Sequence, residues 1–171
     1  MTVESFDTAR LHVRALVAAD EALYCALYTD PAVMAHIGPP LALEGARRAF
    51  AQALRLNATP GGAERRWAVL DRATGGGLGL LALLRAADAP GVAEVGVMLL
   101  PPAQGRGLAR ELNEAVASRA FAPGGWGLHR LWARHAAGHA AAAAALAASG
   151  FVPGPPSGPD ATVQRTAVAA A

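Results

Sequence analysis

The chain contains no lysine: all fifteen of its basic residues are arginine. A Schiff-base lysine and a lysine general base are thereby excluded. Cysteine is reduced to Cys25, so neither an internal disulfide nor a thiolate zinc site can form. Cys25 lies in the apolar pattern Leu23, Cys25, Ala26, Leu27 and reads as a packed thiol, not a nucleophile. Aromatic residues are 5% of the chain, and the arginines are scattered around a net charge of only +2. Nucleic-acid surfaces show a basic stripe with interleaved aromatics, so no nucleic-acid partner is expected. The longest apolar run, 140–148, is too short and too weakly hydrophobic to span a bilayer. Glu4 and Asp7 sit where a signal peptide would need an apolar stretch. These absences predict a soluble, cytoplasmic protein with no membrane partner and no bound metal.

What the chain has in excess is alanine, 44 of its 171 residues. Together with arginine in place of lysine, this reads as the imprint of GC-rich codon usage. The hydrophobic fraction of 53% therefore overstates the core, because alanine adds little volume. The length still suffices for one domain over 1–171 with a real core.

Alternation predicts a first strand over 10–14. Asp20 opens a helix over 20–28 that Asp30-Pro31 ends, and a short helical piece over 32–36 stops at Gly38-Pro39-Pro40. A long helix over 43–56 is closed by Gly61-Gly62. Strands follow over 66–70 and 78–84; Gly75-Gly76-Gly77 lies between them and reads as a hairpin turn, not a phosphate loop. A second hairpin at Asp88-Ala89-Pro90-Gly91 leads into a fourth strand over 92–100. A helix to Phe121, a fifth strand over 128–134 and a helix over 140–149 come next. Gly150-Phe151 has the form of a Schellman cap. The Pro/Gly-rich stretch 152–160 reads as irregular, with a last strand over 162–168. The order β-α-α-β-β-β-α-β-α-β predicts a mixed α/β sheet with helices on both faces.

Between the fourth strand and the following helix stands Gln104-Gly105-Arg106-Gly107-Leu108-Ala109. So short a loop lets several backbone N–H groups converge, and the helix N-terminus adds roughly half a positive charge to them. The combination makes a phosphate cradle. It is neither the P-loop of ATPases nor the G-x-G-x-x-G dinucleotide fingerprint.

This hexapeptide satisfies the signature Q/R-x-x-G-x-G/A, and the chain resembles the GNAT acetyltransferase superfamily. Further segments resemble its branch of ribosomal-protein N-terminal (alanine or serine) acetyltransferases: Thr8 to Arg14, Asp30 to Met34, Pro40 to Arg47, Ala93 to Leu99 and Ser149-Gly150-Phe151. They fall in family order over residues 8–151. The resemblance implies a mostly antiparallel sheet splayed between its fourth and fifth strands, with acetyl-CoA as donor and an amine as acceptor. Gln104, Gly105, Arg106, Gly107, Leu108 and Ala109 would hold the pyrophosphate. Backbone at Gly96, Val97 and Met98 would bind the pantetheine arm, with an N–H around Val97 facing the oxyanion. Glu94 matches the glutamate that such enzymes use as base, usually through water; its other reading is a strand-end glutamate in a surface salt bridge.

The last helix departs from the family. Counting back from Phe151, the family's asparagine, serine and tyrosine positions hold His139, Ala142 and Leu146. His139 either donates to the cofactor or the leaving thiolate, or is a solvated first-turn residue. His129 and His135 read as structural. Trp67 reads as core, Trp126 and Trp132 as acceptor wall or packing, and Arg106 and Arg110 as phosphate ligands or plain surface. The function these features imply is an acetyl-CoA-dependent N-acetyltransferase acting on the α-amino group of a peptide or protein, such as a ribosomal protein. The alternatives are transfer to a small amine or antibiotic, and a non-catalytic acyl-CoA-binding module. A monomer or a homodimer is expected.

Overall fold

The computed structural model describes residues 5–154 and 160–166. Its strands are β1 (Phe6–Asp7), β2 (Leu11–Ala15), β3 (Glu64–Asp71), β4 (Gly77–Arg85), β5 (Val92–Leu99), β6 (Arg130–Ala136), β7 (Val152–Pro153) and β8 (Asp160–Thr166). Its α-helices are α1 (Glu21–Thr29), α2 (Pro31–Met34), α3 (Leu43–Ala58), α4 (Leu108–Phe121) and α5 (Ala140–Ala148). The strands form one sheet in the order β1-β2-β3-β4-β5-β6-β8-β7. The mixed α/β architecture expected from the sequence is present. Two strands of two residues each are added to it, β1 and β7. Val152–Pro153 pairs with β8, so the start of the stretch expected to be irregular is in the sheet. Residues 155–159 of that stretch, and 167–168 of the expected last strand, lie outside the described residues.

Every strand pair is antiparallel except β5 with β6. That parallel pairing runs only from Val92↔Arg130 to Glu94↔Trp132. Beyond it β5 continues to Leu99 and β6 to Ala136 without pairing to each other. The two strands therefore part, leaving a gap in the middle of the sheet.

Side chains alternate across the sheet and divide the core in two. Leu11, Trp67, Leu81, Val95 and Leu131 pack with Leu108 and Leu112 of α4 and Leu146 of α5. Ala68 and Leu80, with Met98 beside them, pack instead with Tyr24 and Leu27 of α1 and Phe50 of α3. Trp126 stacks on fully buried Trp67 with ring centroids 5.7 Å apart, and Phe6 tilts against it at 6.2 Å. Of its two sequence readings, packing is the one this contact describes.

Helix boundaries have local causes. Asp20 is buried against Arg14 (2.7 Å) and accepts the Val17 N–H at 2.8 Å, which fixes the entry to α1. Asp30 caps α2 by accepting the N–H groups of Ala32 (2.7 Å) and Val33 (3.3 Å), with Pro31 in the first helical turn. On α3 the buried residues Ala46, Phe50 and Ala53 form one stripe at helical spacing. The only residue of α5 other than alanine is Leu146. Its end is a Schellman motif, with the Phe151 N–H donating to the Leu146 carbonyl (3.1 Å) and the Gly150 N–H to that of Ala147 (3.0 Å). Leu146 and Phe151 are both buried in the same cluster. Among the described residues no helix is long and apolar enough to cross a membrane.

Candidate active site

The cradle is built where β5 stops. A single 3-10 turn, Pro101–Ala103, redirects the chain, and the side-chain amide of Gln104 donates to the Leu99 carbonyl at 2.9 Å. Gly105 (φ 69°) and Gly107 (φ 74°) are left-handed, and Gly107 is the N-cap of α4. This backbone conformation is what demands glycine. A Cβ on Gly105 would meet nothing within 4 Å, and one on Gly107 only the Arg10 guanidinium at 3.7 Å. The loop is thus open above its N–H groups.

Behind the loop, Arg10 donates from Nη1 to the Arg106 carbonyl (2.8 Å) and from Nε to Glu111 (2.7 Å). Glu111 also accepts the Arg10 backbone N–H (2.9 Å) and the Thr8 hydroxyl. Burial alone would raise the Glu111 carboxyl, but these hydrogen bonds prevail and hold it below the ordinary carboxylate value. An ionised side chain in the first turn of α4 also suits the helix dipole. The segment around the first strand therefore staples the cradle in place. Sequence reasoning assigned Thr8, Arg10 and Glu111 no such role.

A cavity of about 640 Å³ opens from the cradle into the gap between β5 and β6. Gln104, Gly105, Gly107, Leu108 and Ala109 line one end, Val97 one side, and His139 with Ala142 of α5 the other. Backbone alternation on β5 decides which groups reach the gap. The Ala86 N–H donates to the Val92 carbonyl (3.0 Å) and the Leu100 N–H to that of Leu78 (2.9 Å). The register between these two bonds is unbroken. Even-numbered residues, including Glu94, Gly96 and Met98, therefore spend their backbone groups on β4. Val97 turns its N–H and C=O the other way, to the gap. Of the three residues expected to bind a pantetheine arm through backbone, Val97 alone presents those groups.

His139 is the N-cap of α5 and lines the cavity. Its ring stacks on that of His36, just beyond α2, with centroids 4.2 Å apart and planes 19° from parallel. His36 lines the same cavity and was not singled out in the sequence, where nothing links it to His139. Burial, then the neighbouring His36 and His135, push the His139 imidazole below its ordinary value of 6.5. In the folded protein it stays neutral where the unfolded chain takes up a proton. Stability is therefore lost as pH falls below about 6.5 and does not depend on this group above it. Melting temperatures between pH 7.5 and 5 are expected to drop less steeply in His139→Asn than in the wild type. Identical slopes would show that His139 titrates alike in both states.

The remaining residues divide plainly. His135 Nδ1 lies 3.0 Å from the Ala136 carbonyl, and the His129 ring leaves no room for a Cβ at Gly91. Arg110 lines the cavity and pairs with Glu114 at 2.8 Å, while Arg106 is exposed. Leu146 is core. Glu94 lies outside the cavity lining, on the even-numbered face of β5. It pairs with Arg134 of β6, Nε to Oε1 at 3.2 Å, and that guanidinium sits 5.4 Å from the Trp132 ring centre. Cys25 is buried, and burial raises its thiol, as suits a packed residue. Among the described residues no group of three or more His, Cys, Asp or Glu side chains is placed to hold a metal ion.

Known proteins share the frame that holds this cradle and gap. The spermidine N-acetyltransferase from Vibrio cholerae, solved with CoA and spermine, is 21% identical, with a TM-score of 0.72 over 90% of this chain and 92% of that one. The ribosomal-protein-S5-alanine acetyltransferase from Vibrio fischeri is 20% identical, with a TM-score of 0.73 over 95% and 96%. A ribosomal L7/L12 α-N-protein acetyltransferase in complex with CoA is 15% identical, with a TM-score of 0.79 over 96% and 98%. No curated protein matches significantly by sequence. The acetyltransferase (GNAT) domain model matches residues 10–152, most of the sequence, and the chain belongs to the GNAT acetyltransferase family.

Proposed function

We propose that this protein transfers an acetyl group from acetyl-CoA to the α-amino group of a peptide or protein. The observation that carries the reading is the gap itself: Val97 aims free backbone groups into a cavity that ends on the Gly105–Gly107 cradle. A thioester with a diphosphate at one end and amides along its arm fits such a slot. The N–H groups from Gly105 to Ala109 would receive the pyrophosphate, and Val97 would bond the arm. Its N–H is the donor that meets charge developing on the thioester oxygen.

The amine arrives from the opposite face, where Glu94 stands. Glu94 accepts the amine's proton through a water relay. The neutral nitrogen attacks the carbonyl carbon, the carbon–sulfur bond breaks, the nitrogen gives up its extra proton to the relay, and the thiolate takes a proton from water while the neutral His139 ring donates a hydrogen bond to it. His139 lines the same cavity, and the alanines of α5 bring no hydroxyl to compete with it.

Free CoA thiol, followed with acetyl-CoA and a panel of amines, tests the reading. Release that requires an α-amino peptide is expected. Release only with small amines would move the acceptor class. CoA binding without release on any amine would leave a binding module.

A further inference from the structure

We propose that Arg134 is an acceptor-specificity residue: it binds an acidic group carried close to the acceptor's amine, and by doing so frees Glu94 for that amine. The inference rests on the acyl-transfer reading above and narrows its acceptor to an amine with a neighbouring carboxylate.

The geometry is that of a masked base. Glu94 is the one carboxylate of β5, and it is shared with Arg134 through two contacts, Nε at 3.2 Å and Nη2 at 3.5 Å. A carboxylate already held by a guanidinium has less attraction left for an incoming ammonium. The pair is also built to exchange. Glu94 is about 20% exposed and Arg134 about 48%, and the guanidinium rests against the Trp132 ring, leaving Nη1 without a bond to Glu94. A cation lying on an aromatic face keeps its position when its anion changes.

The surroundings favour a zwitterionic acceptor over a polycation. Glu94 lies on the same face as Gly96, which is the register partner of Ala82, which in turn pairs with Arg66. A Cβ on Gly96 would meet nothing within 4 Å, so the floor of this face is low and open. On its far side Arg66 pairs with Glu64 at 2.6 Å. Among the described side chains these two ion pairs, Glu94 with Arg134 and Glu64 with Arg66, balance in charge, and they leave no surplus of negative charge to hold a polyamine. An acceptor bearing both charges swaps partners without stranding any: its ammonium goes to Glu94 and its carboxylate to Arg134. Each new pair replaces the one that was broken.

The test compares wild type with Arg134→Gln and Arg134→Glu on three acceptors. These are the amidated peptides Ala-Asp-Ala and Ala-Asn-Ala, which differ in one charge, and spermidine. The wild type is expected to favour the Asp peptide over the Asn peptide in kcat/KM by 10-fold or more, mainly through KM, and to favour both over spermidine. Arg134→Gln is expected to erase the Asp preference, and Arg134→Glu to turn it toward spermidine. An Asp-to-Asn ratio near one in the wild type, or one unchanged in Arg134→Gln, overturns the assignment of Arg134 alone. CoA binding without turnover on any acceptor overturns the acyl-transfer reading, and this inference with it.

Discussion

Gly107→Val is expected to weaken CoA binding by 100-fold or more in a protein that still folds. Gly107 caps α4 at φ 74°, a region a β-branched residue enters only under strain. The space around it is open, so the damage comes from backbone, not from bulk. Relaxing that strain turns the peptide units on both sides, and the N–H groups of the loop stop converging. Hydrogen bonds to a charged partner contribute about 1.5–3 kcal/mol each, so misplacing two corresponds to roughly 100-fold or more in affinity. The Arg10 and Glu111 staple holds the start of α4 from behind, which keeps the helix in place while the loop changes. Calorimetry with CoA, beside circular dichroism on the same sample, reads both halves. Gly107→Ala should fall between wild type and valine. Unchanged affinity in a folded Gly107→Val protein would remove the cradle from the site.

Why the cradle was legible in the sequence, and the pairs around it were not, follows from how far each signal reaches. Gly105 and Gly107 are adjacent in sequence to the strand and helix they join, so the pattern carries its own context. The same holds for Gly150-Phe151, where two residues and Leu146 complete a helix cap. Strands β3, β4 and β5 were placed within two residues of their ends, because two buried faces leave long apolar runs between glycine-rich turns. β1 and β7 were missed, since two residues cannot show alternation. β6 begins at Arg130 and not at 128, because the backbone N–H groups of Leu128 and His129 are used on Ala120 and Gly91. Trp126 lies in a turn with no period to read, and its burial is decided by Trp67 on another strand.

The site residues divide the same way. His36 with His139, and Glu94 with Arg134, join segments that only the folded sheet brings together. No spacing rule predicts such pairs. Glu94 itself was reachable through its place on β5, but the guanidinium on its carboxylate was not. His139 was read from an absent asparagine, whereas its stacking partner had no sequence signal at all. Backbone direction was the other hidden quantity. Gly96, Val97 and Met98 are equivalent as a string of letters, yet alternate bonding to β4 leaves only Val97 turned to the gap.

The place of Glu94 sets what Glu94→Gln should do. Glu94 is not among the residues that line the cavity, so CoA affinity is expected to stay within about twofold of wild type while kcat falls roughly 100-fold, the size of a general-base contribution. Glutamine keeps the shape and a hydrogen bond to Arg134 but cannot accept a proton. The deficit is expected to shrink as pH rises through about 8, where an α-amine loses its proton without help. Below that range nearly every acceptor arrives as ammonium, and the mutant has nothing to take the proton. A structural glutamate behaves differently: its loss disturbs β6 through Arg134 at every pH alike. The ratio of mutant to wild-type kcat, followed from pH 6.5 to 9.5, therefore separates the two roles. A rising ratio assigns the proton to Glu94, and a flat one reduces it to half of a surface ion pair.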